Sequence, residues 1–181
     1  HILSSYALME LANIYEERGE FDKAAKKYQE IILNYPLSNL ISKAKHKKEL
    51  IEKNLNNPEL LLEYSLGWKK FQNGEYDEAI RIYEKIIKKY PESEVSYELQ
   101  YSLGQYYEHK GSYMQAVHEF RSGYRNFKNI PRTFDYGWKI GEILIEELRY
   151  YRRAVNWYKS MHEDFEPDYT APLSGIKNIE T

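Results

Sequence analysis

One pattern recurs along the chain and leaves little freedom over what it folds into. Segments 11–36, 66–91 and 103–120 each open on a leucine followed by a small residue (Ala12, Gly67, Gly104), with a glycine seven positions after it (Gly19, Gly74, Gly111). An aromatic follows (Phe21, Tyr76, Tyr113), then an alanine (Ala24, Ala79, Ala116) and a second aromatic (Tyr28, Tyr83, Phe120), with Pro36 and Pro91 closing the first two copies. A weaker fourth copy, 140–158, keeps Gly141, Tyr151, Ala154 and Tyr158. Each position answers a physical need of two helices folded back on each other. The small residue and the alanine let the backbones approach. The glycine supplies the left-handed residue that caps the first helix. The aromatics lie two turns apart on one face, and proline ends the second helix. Apolar residues elsewhere recur at helical spacing, with charges opposite.

This order of markers resembles the tetratricopeptide repeat, a helix-turn-helix unit of about 34 residues. The resemblance covers residues 5–38 and 60–167. It implies an all-α fold, a right-handed α-solenoid of hairpins. The alanines are spaced by 55, 37 and 38 residues, and the excess falls around Tyr-Pro-x-Ser at 35–38 and 90–93. Those junctions are similar to the longer-spaced repeats of bacterial cell-envelope assembly lipoproteins and their periplasmic relatives. They point to a bacterial source and favour periplasm or cell envelope over cytoplasm.

The pattern breaks in three places. Residues 37–55 carry an apolar stripe (Leu37, Leu40, Ile41, Ala44, Ile51, Leu55), so they read as one extra helix with no partner before Asn56-Asn57-Pro58. That helix either caps the first hairpin or marks a hinge. The expected division is 1–55, the first hairpin plus the extra helix, and 56–181, three further hairpins and the start of another helix. In the fourth copy Arg149 stands where the capping glycine belongs, and one extra residue separates Gly141 from Ala154. A hairpin with a distorted turn follows. Leu173, Ile176 and Ile179 open a further helix without a partner. With His1 in place of Met, this leads to the expectation that the chain is a piece of a longer protein.

The resemblance implies that first helices line a concave face where ligands bind, at three residues before the small position and one after it. Here these are Met9 and Asn13, Tyr64 and Trp68, Tyr101 and Gln105, Trp138 and Glu142. Tyr6 and Phe71 point the same way by helical spacing. Rigid aromatic rings give contact area at low entropic cost. The competing reading is that they fill the space between hairpins. The family's variant that clamps C-terminal carboxylates wants Lys and Asn where this chain has Met9 and Trp68, so an extended or helical segment with apolar anchors suits the groove better. The expected function is a protein-interaction scaffold holding a protein or peptide segment. Its rivals are a self-association module and a regulatory or targeting domain of a larger protein whose catalytic part lies elsewhere.

Other chemistry finds little footing. Lys and Arg number 26 against 28 acidic residues, so no global field selects nucleic acid or anionic membrane. No run is long and apolar enough to insert in a bilayer. The basic run Lys43, Lys45, His46, Lys47, Lys48 reads as a solvated helix face. The acidic group Glu163, Asp164, Glu166, Asp168 lacks calcium-loop spacing. The histidines lack zinc-motif spacing, and cysteine is absent. No nucleophile elbow or phosphate-binding glycine loop occurs. The chain is therefore read as a non-enzyme without metal or cofactor.

Overall fold

The computed structural model describes residues 2–128, 130 and 132–164. Among them every regular element is a helix: α1 (Ile2–Glu17), α2 (Phe21–Asn34), α3 (Ile41–Asn54), α4 (Pro58–Gln72), α5 (Tyr76–Lys89), α6 (Glu94–His109), α7 (Tyr113–Asn126), α8 (Thr133–Glu146) and α9 (Tyr151–Asp164). The helix expected over 171–181, together with Glu166 and Asp168, lies outside the described residues.

The repeat markers explain the boundaries. Gly19, Gly74 and Gly111 have φ of 71°, 79° and 74°, the left-handed cap that only glycine adopts without steric cost. In each, the next residue's N–H reaches back to a carbonyl in the last turn, as from Glu20 to Tyr15 at 2.8 Å and from Glu75 to Lys70 at 3.0 Å. The fourth hairpin makes the same turn with Arg149 at φ 56°. There the extra residue widens the closed turn by one position, and the closing bond runs from Tyr150 N–H to the Leu144 carbonyl at 2.8 Å. Asn57 caps α4 through Leu60 N–H, with Pro58 in the first turn, and Ser93 caps α6 through Ser96 N–H. The extra helix begins at Ile41, four residues later than its apolar stripe; Leu37 is fully exposed.

The small positions prove to face aromatic rings. A Cβ on Gly67 would come 2.7 Å from the Tyr83 ring, one on Gly104 2.4 Å from Phe120, and one on Gly141 2.1 Å from Tyr158. Each hairpin thus closes by laying the second helix's aromatic on the first helix's backbone, and a methyl group there would overpack it.

Two compact units divide the helices, residues 1–90 and 91–181. This is a different cut from the one after residue 55. In the first unit α1 pairs with α2 and α4 with α5, while α3 packs mainly on α2. In the second, α6 pairs with α7 and α8 with α9, and α7 packs on α8. The second unit's core is built on aromatics: Tyr97, Phe120, Tyr124, Phe127 and Tyr136 are all buried. Their hydroxyls stay satisfied. Tyr97 donates to the Arg132 carbonyl at 2.7 Å, Tyr136 to the Tyr97 carbonyl at 2.5 Å and Tyr124 to Asp164 at 3.2 Å.

Candidate functional site

In the first unit the extra helix α3 runs in the same direction as α1. Ser38, just ahead of α3, meets Ser5 at 3.1 Å, Asn39 meets Tyr6 at 3.1 Å, and further along Lys47 meets Glu16 at 2.8 Å. α3 therefore stands where a regular array would put its next first helix. α4 then lies across α1 and α3 and runs back in the opposite sense. Leu62 sits beside Gly19 at the end of α1, and Trp68 lies near Lys43 in the first turn of α3. With α2 on one side of the α1/α3 layer, α4 occupies the side expected to hold a ligand.

A buried charged knot fastens this arrangement. The Glu16 carboxylate accepts from Tyr28 of α2 at 2.7 Å, Lys47 of α3 at 2.8 Å and Ser65 of α4 at 3.0 Å. The Lys47 ammonium also lies 4.9 Å from the Tyr64 ring centroid and 5.4 Å from that of Trp68. Only 2% of Lys47 is exposed, which corrects the reading of its basic run as a solvated face; Lys45 and His46 do face solvent. Burial pulls the Lys47 ammonium below its usual range, with Glu16 opposing. Burial also raises the Tyr28 phenol, so it stays protonated as a donor.

The knot decides where the expected contact residues go. Met9 at 2% exposure and Tyr64 at 5% are core side chains, a correction to their placement on an open face: α4 packs there against α1 and α3. Trp68 is half-buried beneath Lys43 and Lys47. Phe71 turns towards its own hairpin, 5.1 Å from the Tyr76 ring centroid. Asn13 is half-buried with its side-chain amide 3.3 Å from the Tyr28 hydroxyl. Tyr6 remains exposed. One signal could have revealed Lys47 from sequence, since it stands three residues after Ala44 and four before Ile51, on the stripe that α3 buries.

The second unit keeps an open first-helix face. α6 and α8 are parallel neighbours: Tyr97 reaches Asp135 at 3.3 Å, the rings of Tyr101 and Tyr136 lie 5.4 Å apart, and Lys139 meets Glu108 at 3.0 Å. Tyr101 and Gln105 are half-buried beside α8. Trp138 is 46% exposed, its ring steadied 5.5 Å from Tyr158. Exposed Glu142 pairs with Lys139 at 3.0 Å. Lys139 bridges two carboxylates, which hold its charge in place. Of the four residues expected in this unit, Trp138 and Glu142 are exposed, while Tyr101 and Gln105 are half-buried.

No group of acidic, histidine or cysteine side chains among the described residues could hold a metal, and no helix there is long and apolar enough to cross a membrane. Residues 6–38 and 64–144 match family models described as tetratricopeptide repeat. The residues between the two matches, 39–63, contain all of α3. No curated protein matches the chain closely.

Proposed function

The chain belongs to the tetratricopeptide repeat family, and from that premise we propose that it is a scaffold holding a segment of a partner protein on the first-helix face of its second unit. Repeats of this family generally mediate protein–protein interactions and are typically non-catalytic. The contact residues in this reading are Tyr101, Gln105, Trp138 and Glu142, with Trp138 as the anchor. The observation that carries the reading is the exposed indole of Trp138 on a helix layer that protein partners use in this family. In the first unit, α4 already covers the equivalent layer, which leaves Tyr6 at its edge as a secondary contact. The Tyr-Pro-x-Ser junctions support a role in a bacterial cell envelope, which fractionation of the source cells checks.

The test is affinity capture with the wild-type chain, Trp138→Ala and Tyr76→Ala, each first shown to be folded by circular dichroism. Tyr76 is also an exposed aromatic, but on a second helix of the other unit. A partner lost from Trp138→Ala and kept by Tyr76→Ala supports the face. A partner kept by both variants moves the binding site elsewhere.

A further inference from the structure

Charge separates between the two helix layers of the second unit. The first helices, α6 and α8, hold six carboxylates (Glu94, Glu98, Glu108, Asp135, Glu142, Glu146) and one cation, Lys139. Arg132 adds a second cation from the turn before α8 and pairs with Asp135 at 3.3 Å. The second helices, α7 and α9, hold five cations (Arg121, Arg125, Arg152, Arg153, Lys159) against three carboxylates. The whole chain is close to neutral, so the separation is local.

The acidic residues share their faces with the aromatics. On α8, Asp135, Trp138, Glu142 and Glu146 recur at spacings of three and four, one stripe of the helix. On α6, Glu94, Glu98, Tyr101, Gln105 and Glu108 do the same. Part of this charge serves the helices: Glu94 and Asp135 stand in first turns, and Asp135, Glu108 and Glu142 pair with Arg132 or Lys139. The rest does not: like charges four apart, as in Glu142/Glu146, destabilise a helix. Glu146, as the last residue of α8, also meets the negative end of the dipole. A net excess of carboxylates around an exposed indole forms a surface whose complement is cationic with an apolar anchor.

We infer that this face selects a basic polypeptide segment, whose Lys or Arg side chains lie along the α6/α8 carboxylates while an apolar side chain covers Trp138. The inference rests on the proposed function and adds the chemistry of the partner. Lys139 and Arg132 offset two of the six carboxylates, which leaves the face with a net excess of four.

Three synthetic peptides with the same leucine anchors test it, with lysine, glutamine or glutamate at every intervening position. Each is titrated into the intact chain by fluorescence anisotropy at low and physiological salt. The expected result is that the lysine peptide binds about tenfold tighter than the glutamine peptide, that the glutamate peptide does not bind, and that the preference shrinks with salt. Glu142→Gln/Glu146→Gln should lower lysine-peptide affinity several-fold, whereas Arg152→Gln/Arg153→Gln on α9 should not. Equal binding of lysine and glutamine peptides, lost in Trp138→Ala, overturns the charge inference and leaves the proposed face standing. Lysine-peptide binding insensitive to both Trp138→Ala and the glutamate variants overturns both, and no binding of the lysine peptide overturns the inference.

Discussion

At the scale of the residue, the four hairpin turns form a natural comparison series. Three use glycine in the left-handed region and the fourth uses Arg149, the one non-glycine with positive φ among the described residues. A side chain there costs about 1 kcal/mol. Arg149→Gly is therefore expected to stabilise the chain by about 0.5–1 kcal/mol, read as a rise in the urea midpoint at unchanged slope. Loss of stability instead would mean that the Arg149 contact to the Tyr151 hydroxyl at 3.3 Å outweighs the backbone cost. The glycine turns were legible before the structure because φ is a property of one residue; the fourth, expected to distort, keeps the left-handed residue with one position added. Lys47 was not, although its spacing from Ala44 and Ile51 matched the buried stripe: a lysine among lysines is ordinarily solvated. Whether one is buried depends on a carboxylate from another helix, here Glu16, 31 positions away.

At the scale of the element, that one charged group ties α3 to α1 and α4, in addition to its apolar packing on α2. A buried ion pair contributes little against well-packed apolar residues, but removing one partner strands the other. Lys47→Ala should therefore cost about 3–5 kcal/mol, leaving Glu16 without its counter-ion. Lys47→Met combined with Glu16→Leu should recover most of that loss in chemical denaturation. A double variant as unstable as the single one would show that Tyr28 and Ser65, which also depend on Glu16, matter more than the charge pair. The hairpins were readable because their two helices are neighbours in sequence. The faces of Met9 and Tyr64 were not, because what covers them is fixed by how α3 and α4 cross, and no periodicity within a helix encodes that. In the second unit nothing intervenes between the hairpins, and Trp138 and Glu142 keep the exposure that the repeat pattern implies.

At the scale of the whole molecule, tyrosine sets the response to alkali. Tyr28 and Tyr83 in the first unit, with Tyr97, Tyr124 and Tyr136 in the second, all have phenols raised from 10 by burial. The folded chain keeps protons that the unfolded chain releases, so their stabilisation is complete below about pH 10 and is lost as pH rises above it. Each contributes a loss of about 1.4 kcal/mol per pH unit there. Lys47, with its value lowered, acts in the opposite direction only until its unfolded value of 10.5 is passed. The tyrosinate absorbance that belongs to these five phenols should therefore appear together with loss of helical circular dichroism above about pH 10; ionisation of these five with the helices intact would contradict their burial. The direction of α4 has a further consequence. A lineage of two-helix units can grow by whole duplications and keep every first helix pointing alike, but α3 is a single helix and changes the parity of the count. Excising it would not merely shorten the first unit: it would turn the α4–α5 hairpin end for end, so the segment between the two family matches works as a reversal of chain direction rather than as a spacer.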